Sequence, residues 1–211
     1  MNRFEEIAKN VIKSQVIADV GCDHGYVSEK ILNKGLASTL IISDVSAKCL
    51  NKAEILLDKY VKQGIVKPIV SDGFEKYTIY PDQAIIAGMG GEETIKILGV
   101  YKPSRLVLQP MKNVDKLRVF LVENGYKILK DYTFFDAGKF YDIIVATDGK
   151  DTLTENEIKF GRTNLLEKSE DFINKWKNEI RKINVVINGN VNDKLREKLN
   201  NEIKKIEKII L

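Results

Sequence analysis

The 211-residue sequence contains only two cysteines, Cys22 and Cys49, and a single histidine, His24. Two cysteines cannot form the disulfide framework of a small secreted domain. A structural metal site normally has four ligands, and no second cluster of Cys or His is available to complete one here. We therefore expect a protein of a reducing compartment that holds no metal.

Long apolar runs are also absent, because no segment approaches the roughly 20 apolar residues of a membrane helix. The first residues, MNRFEEIAKN, are acidic and polar, unlike a secretory signal. The formal net charge is +4, which is compatible with nucleic-acid binding but does not demonstrate it. We expect a cytoplasmic protein.

Short apolar runs with β-branched residues alternate with helical patterns through the first part of the sequence. The predicted strands are residues 16–20, 40–43, 67–70, 83–87 and 105–109, and the predicted helices are residues 28–33, 47–63, 92–98 and 114–124. This alternation is typical of a doubly wound parallel α/β sheet. Two further strands, 126–132 and 140–147, are separated by too few residues for a crossover and should pair antiparallel. We predict a Rossmann-like, mostly parallel sheet with an antiparallel last strand, formed by residues 1–149.

The remaining residues, 150–211, have a different character and are predicted to form a second, helical domain. From Thr154 onward there is no proline, and apolar residues recur at helical spacing. One stripe contains Leu165, Phe172, Trp176, Ile180 and Ile183, and the other contains Leu195, Leu199, Ile203, Ile206 and Ile210. A turn at Asn188, Gly189 and Asn190 would join the two helices into a coiled-coil-like hairpin, with Trp176 as a core anchor.

The segment VIADVGCDHGYVSEKIL, residues 16–32, places a glycine-rich turn between a strand and a helix. Such a turn presents backbone N–H groups to a ligand. A nicotinamide site requires G-x-G-x-x-G, but Asp23 and Tyr26 occupy the second and third glycine positions, which argues against an oxidoreductase. An acidic loop suits a cationic ligand such as S-adenosylmethionine, with its sulfonium and ammonium groups. A loop that only packs is the alternative.

Acidic residues follow the next two strands as well. Asp44 ends the second strand, where a carboxylate can accept both ribose hydroxyls, and Asp72 follows the third, near the expected adenine amino group. Gly88 begins a G-M-G-G loop after the fourth strand. The carboxyl ends of parallel strands meet at one edge of the sheet, so acids at three successive ends favour a cofactor site.

The segments ADVGCDHGY, IIAGMGGEETIKIL, LVLQP and FYDIIVA resemble the bacterial tRNA (adenine(22)-N(1))-methyltransferase family over roughly the first 150 residues. The resemblance implies a class I methyltransferase fold, S-adenosylmethionine as cofactor, tRNA as partner, and methyl transfer to adenine N1 in the D-loop region. The predicted cofactor-binding residues are Asp19, Gly21, Asp23, His24, Gly25, Asp44, Val45, Asp72, Gly73 and Gly88. The family usually continues the Q-P pair with asparagine, whereas Met111 stands here.

No single residue stands out as the catalyst, because adenine N1 is a neutral nucleophile that needs no strong base. Alignment, a dry site and an acceptor for the 6-amino group should suffice. The candidate catalytic residues are Gln109 as that acceptor, together with the carbonyls of residues 88–91, Met89 as an apolar contact, and Tyr141 stacking on a flipped-out base. The loop at residues 88–91 is expected to be flexible. Tyr141 has a packing role as its alternative, and for His24 cofactor positioning, proton handling and a structural hydrogen bond all remain open.

Basic residues are concentrated near the end of the sequence. Residues 175–211 contain ten Lys or Arg against five Asp or Glu, whereas residues 151–174 contain three against six. The distal part of the helical hairpin is therefore a candidate phosphate-binding surface, with a solvated charged face as the alternative. Lys112, Lys116 and Arg118 are further candidate contacts for the body of the tRNA. We expect a monomer, and pairing through the C-terminal helices remains open.

Two other functions remain open from the sequence. One is the same fold acting on another RNA or on a small molecule, since fold does not fix function. The other is a noncatalytic RNA-binding factor with a vestigial pocket. Loss of the acids at positions 23, 44 or 72 would have indicated the second function, and all three are present.

Overall fold

The computed structural model describes residues 2–189 and 191–211 and contains a seven-stranded sheet. The strands are β1 (Ser14–Val20), β2 (Ala37–Asp44), β3 (Val66–Val70), β4 (Gln83–Met89), β5 (Arg105–Pro110), β6 (Tyr126–Asp136) and β7 (Lys139–Asp148). Their order in space is β3-β2-β1-β4-β5-β7-β6, and only β7 runs antiparallel to its neighbours. The predicted fold class is confirmed.

The structure describes ten helices in residues 2–189 and 191–211. They are α1 (Arg3–Lys9), α2 (Tyr26–Asn33), α3 (Ala47–Leu56), α4 (Asp58–Lys62), α5 (Gly91–Leu98), α6 (Val114–Glu123), α7 (Glu155–Phe160), α8 (Arg162–Glu167), α9 (Glu170–Ile187) and α10 (Asp193–Ile210). Alternate strand residues face two separate cores. α1, α2 and α3 pack on one face of the sheet, whereas α5 and α6 pack on the other. None of these described helices has the length and apolar character needed to cross a membrane.

Several predicted elements differ in extent. The single helix predicted over residues 47–63 is broken at Leu57 into α3 and α4. The first C-terminal stripe also falls on two helices, because Lys168 takes a left-handed conformation (φ 44°) and Ser169 caps a new helix. The connection between the last two strands is shorter than predicted: β6 and β7 extend until only a two-residue turn remains, with positive φ at Ala137 and Gly138.

The C-terminal helices form their own apolar core. Phe160, Phe172, Ile183, Ile206 and Ile210 are buried there. Trp176 packs edge-on against Phe160 with the ring centroids 4.6 Å apart, so its predicted role as a core anchor is confirmed. The predicted turn between α9 and α10 includes Asn190, which lies outside the described residues. The division of the chain at residue 149 stays a prediction.

Side chains of the C-terminal segment cover the outer edge of β6. Three of its outward N–H groups donate to these side chains. The N–H of Asp131 donates to Thr163 Oγ1 (3.0 Å), that of Thr133 to Asn164 Oδ1 (2.9 Å) and that of Phe135 to Asp171 Oδ2 (3.0 Å). The Ile128 N–H donates to Asp151 Oδ2 at 3.0 Å. These four N–H groups, which an edge strand would otherwise leave unpaired, are thus satisfied from within the same chain.

A buried ion pair joins the sheet to this segment. Arg118 Nε of α6 lies 2.9 Å from Asp131 Oδ2 of β6, and the two side chains are 2% and 0% exposed. Arg118 also donates to the carbonyl of Ile158, and Asp131 accepts the N–H of Thr163. The prediction that Arg118 contacts tRNA is therefore wrong, because its guanidinium is used inside the protein.

Candidate active site

A cavity of about 420 Å3 opens at the carboxyl ends of β1, β2, β3 and β4. Ten of the thirteen predicted site residues line it: Asp19, Gly21, Asp23, His24, Asp44, Val45, Asp72, Gly73, Gly88 and Met89. The other three, Gly25, Gln109 and Tyr141, lie outside the lining. The volume lies within the range of about 300–1,000 Å3 that small-molecule sites occupy.

The β1–α2 loop is shaped by two glycines with positive φ. Gly21 (φ 70°) donates its N–H to the Ser43 carbonyl at 2.8 Å, and a Cβ at this position would collide with the methyl group of Met89. Gly25 (φ 77°) packs against α3, where a Cβ would lie 2.9 Å from the Cβ of Ala53. Gly25 therefore fixes the loop rather than lining the cavity.

His24 links two elements at the mouth of the cavity. Its Nδ1 lies 2.9 Å from Asp23 Oδ2, and its Nε2 lies 3.0 Å from Lys52 Nζ on α3. Lysine can only donate, so Nε2 accepts and Nδ1 carries the proton. The hydrogen bond from His24 lowers the pKa of Asp23. These contacts are those of a structural hydrogen bond, in which His24 holds an ionised Asp23 in place. His24 also lines the cavity, and its cofactor-positioning role stays a prediction.

Asp19 is the most deeply buried acid of the cavity, at 3% exposure. Burial raises its pKa from 3.8 to about 6, although the hydroxyl of Ser28 donates to Asp19 Oδ2 at 2.6 Å and opposes the shift. The negative charge of Asp44 contributes to the increase. A buried carboxylate of this kind is poised to gain from a cation placed beside it.

Asp44 and the β3 end complete the acidic part of the cavity. Asp44 Oδ1 accepts the N–H of Ser46 at 2.8 Å, and its Oδ2 accepts the N–H of Asp23 at 3.2 Å. Asp72 is exposed at the rim. At Gly73 (φ 53°) a Cβ would lie 3.1 Å from Ile97, so a side chain would crowd α5.

The glycine-rich loop after β4 is tied to the next loop along the sheet. The Met111 N–H donates to the Met89 carbonyl, and the Gly91 N–H donates to the Lys112 carbonyl, both at 2.8 Å. The Gly90 carbonyl accepts from the backbone and the hydroxyl of Thr94. These bonds do not favour the flexible loop that we expected. They also engage the carbonyls of Met89 and Gly90. Gly88 is exposed and lines the cavity, so its carbonyl is the better candidate acceptor.

Gln109 is 1% exposed on β5, and its register neighbour Ala87 on β4 lines the cavity. Its Nε2 donates to the Pro110 carbonyl and to the Met111 sulfur, both at 3.3 Å. Among the described residues no group bonds its Oε1, which is buried. Met111, where the family usually has asparagine, therefore helps to hold the carboxamide with its acceptor oxygen unpaired.

Tyr141 lies on the same face of the sheet as Gln109, further along the strand order. It is half-buried and stacks on Phe134 with the ring centroids 5.5 Å apart. The guanidinium of Arg3 lies 5.5 Å from the Tyr141 ring centroid and 4.9 Å from that of Phe4.

Sequence reasoning missed α1, which supplies one wall of the cavity through Arg3, Phe4 and Ile7. The signal was present in the sequence: Asn2 and Glu5 have the spacing of a capping box, which the structure shows, and Ile7 and Ala8 are buried. Tyr26, which stands where a nicotinamide site needs glycine, also lines the cavity, and its ring lies parallel to that of His24.

Comparison with known proteins gives a consistent result over nearly the whole chain. Residues 17–209 match the family TrmK, described as tRNA (adenine(22)-N(1))-methyltransferase. The tRNA (adenine(22)-N(1))-methyltransferase of Bacillus subtilis is 26% identical over 191 residues, which are 85% of this chain and 80% of that protein.

Two solved structures are similar along their full length. Streptococcus pneumoniae Sp1610, in complex with S-adenosyl-L-methionine, is 27% identical with a TM-score of 0.90 and covers 100% of both chains. TrmK of M. capricolum, in complex with S-adenosyl-homocysteine, is 27% identical with a TM-score of 0.87 and covers 99% of this chain and 96% of its own.

Proposed function

Because the chain belongs to the tRNA (adenine(22)-N(1))-methyltransferase family, we propose that it transfers a methyl group from S-adenosylmethionine to N1 of adenine 22 in tRNA. An enzyme of tRNA acts where tRNA is present, so we place it in the cytoplasm. The observation that carries the proposal is the arrangement of the cavity, in which carboxylates stand at the ends of β1, β2 and β3. The unpaired Oε1 of Gln109 is buried on β5, next to the β4 residue Ala87 that lines the cavity.

The charges that line the cavity are complementary to those of the cofactor. Asp19, Asp23 and Asp44 face a ligand from the β1 and β2 ends, where they would repel a pyrophosphate and attract a sulfonium and an ammonium group. Apart from His24, Arg3 is the only basic residue among the described lining residues, and it is the candidate partner for the α-carboxylate. Asp44 would accept the ribose hydroxyls, and the Asp72–Gly73 end would contact the adenine.

When bound, S-adenosylmethionine supplies an electrophilic methyl group. The protein's residues provide alignment and a dry site for the attacking base. The acidic residues of the cavity lie at the ends of β2 and β1. Ala87 and Met89 line it at the end of β4, and Gln109 lies on β5, the next strand of the sheet. We place the target base on this side, with Met89 as its apolar contact.

Gln109 Oε1 and the Gly88 carbonyl are the proposed acceptors for the 6-amino group. The methylated base carries a positive charge, and an acceptor held in advance stabilises that charge as it develops. An acceptor also selects adenine over guanine, which has a carbonyl at the same position. Tyr141 is retained as the residue that stacks on the base or positions it. Because N1 is buried in a base pair, the adenosine must be unpaired or flipped out.

The test is methyl transfer from labelled S-adenosylmethionine to an unmodified tRNA transcript, followed by nucleoside mass analysis. We expect 1-methyladenosine with the wild-type transcript and none with a transcript that carries guanosine at position 22. The protein variant to test is Asp44→Ala. Its matched control is Asp58→Ala, because Asp58 is an exposed acid on α4 outside the cavity lining. Only Asp44→Ala should lose cofactor binding, since it removes two charge-assisted hydrogen bonds.

The outcomes separate the alternatives. Cofactor binding without methylation of any tRNA would overturn the tRNA substrate and direct the search to other RNAs and small molecules. Unchanged cofactor affinity in Asp44→Ala would overturn the proposed orientation of the cofactor.

A further inference from the structure

The β6–β7 hairpin ends at the same edge of the sheet as the cavity, because β6 runs parallel to β1–β5. Its tip carries Phe135, which is 48% exposed, and Phe140, directly opposite in the register, with the ring centroids 4.8 Å apart. Lys139 is exposed beside them and forms no ion pair with any residue that the structure describes. We call these three residues the tip patch.

The tip patch lies between the cavity and the C-terminal helices. In the register, Phe134 pairs with Tyr141 on the face that contacts α1, so Phe135 and Phe140 point to the opposite face. The Phe135 N–H bonds Asp171 of α9, which places that helix next to the patch. In the strand order, β7 and β6 separate the cavity at β1–β4 from these helices, so the tip lies on the way from one to the other.

The patch is also held rigidly. The Arg3 N–H of α1 donates to Asp136 Oδ2 at 2.9 Å, and the Phe135 N–H donates to Asp171 Oδ2 at 3.0 Å. The tip is therefore fixed from both sides, and ordering it costs little when a ligand binds.

We propose that the tip patch is a stacking platform for unpaired nucleotides next to the target adenosine, with Lys139 contacting a phosphate. Exposed aromatic rings beside free cations are the combination that binds single-stranded nucleic acid, because every base offers a π-face and every nucleotide a negative charge. The proposal rests on the proposed function, since it takes tRNA as the substrate.

The experiment measures binding of unmodified tRNA to the full-length protein at several salt concentrations, for Phe135→Ala and Lys139→Ala. The matched controls are Leu129→Ala and Lys127→Ala, exposed residues on β6 near the end of the hairpin opposite its tip. We expect Phe135→Ala to bind roughly tenfold more weakly with an unchanged salt slope. Lys139→Ala should bind more weakly with its slope reduced by about 1. Both controls should bind as the wild type does.

Phe135→Trp and Phe135→Leu distinguish stacking from packing. Tryptophan should restore binding, and leucine, which keeps the apolar contact but not the planar ring, should not. Wild-type binding by Phe135→Ala, or an equal loss in Leu129→Ala, would overturn the platform. Failure of the wild type to bind or methylate tRNA would instead overturn the proposed function, and calorimetry with S-adenosylmethionine would show whether the cavity itself is intact.

Discussion

At the scale of single residues, the site combines carboxyl groups of different pKa values within one cavity. Burial raises the pKa of Asp19 to about 6, whereas the hydrogen bond from His24 lowers that of Asp23. Asp23 therefore remains charged throughout the neutral and mildly acidic range, while Asp19 takes up a proton in the middle of it. The affinity for the cofactor should consequently depend on pH through the protonation of Asp19.

The affinity for S-adenosylmethionine should fall about tenfold between pH 7 and pH 5, because only about a tenth of Asp19 is ionised one unit below its pKa. Calorimetry across this range checks the slope. Asp19→Asn should bind weakly at every pH, with the slope removed. A wild-type affinity that stays constant down to pH 5 would show that Asp19 does not face the cationic groups.

The same substitution should stabilise the protein at neutral pH. A carboxyl group whose folded pKa is raised stabilises the fold below its unfolded pKa, and this contribution is lost as pH rises through the folded pKa. For Asp19 the loss is about 3 kcal/mol by pH 7. Thermal melting without ligand should therefore place Asp19→Asn above the wild type at pH 7.5, with the difference disappearing near pH 4.

Gln109→Leu should lower kcat by roughly 10- to 100-fold, because it removes an acceptor that acts on the developing charge of the base. The Kd for S-adenosylmethionine should not change, since Gln109 lies outside the cavity lining. Single-turnover methyl transfer with saturating tRNA measures the effect, and Gln15→Leu, at an exposed position on β1, is the control. An unchanged single-turnover rate would show that Gln109 does not take part in the reaction.

At the scale of elements, the strands were the part most accurately predicted. Val16 to Val20 and Arg105 to Gln109 are short apolar runs bounded by turn residues, a pattern that few other structures share. Helix breaks were not predicted, because Lys168 adopts a left-handed backbone without being a glycine, so its residue type does not mark the break. The positions of Asp44 and Asp72 at the cavity followed from strand order, whereas α1 required recognising a helix of only seven residues.

The hairpin turn offers a test at this scale. Ala137 adopts φ 46° and is followed by Gly138 at φ 81°, the pattern of a two-residue turn that favours Asn-Gly. Ala137→Asn should raise stability by about 0.5–1 kcal/mol, since asparagine tolerates the left-handed region better than alanine. Chemical denaturation measures the change. A loss of stability would mean that Ala137 has no strain to relieve.

At the scale of the whole molecule, the charge distribution divides the chain between two ligands. The cavity is acidic and suits a small cationic cofactor, whereas residues 175–211 carry twice as many basic as acidic residues. The acidic cavity followed from the sequence. Which basic side chains are available to tRNA could not be predicted from the sequence, because this depends on burial. Arg118 lies inside the protein, while Lys204 and Lys205 are exposed on α10.

Charge reversal of Lys204 and Lys205 to glutamate should weaken tRNA binding at least tenfold and leave the affinity for S-adenosylmethionine unchanged. The matched control reverses Lys59 and Lys62 on α4, which packs against the opposite end of the sheet. Binding at two salt concentrations measures both variants. Equal tRNA affinity in the wild type and the α10 variant would show that these lysines form a solvated surface that does not bind tRNA.

The covered edge of β6 has a consequence for how the protein is made. Phe135 precedes Asp171, which closes the last of the edge hydrogen bonds, by 36 residues. A ribosome that adds about 5–20 residues per second needs roughly 2–7 s to synthesise that interval. During this time the strand presents open N–H groups to any neighbouring chain, the condition under which strands add to one another and aggregate. The C-terminal segment thus protects the edge of the sheet once it is made, and we expect a chain truncated before this segment to be prone to aggregation.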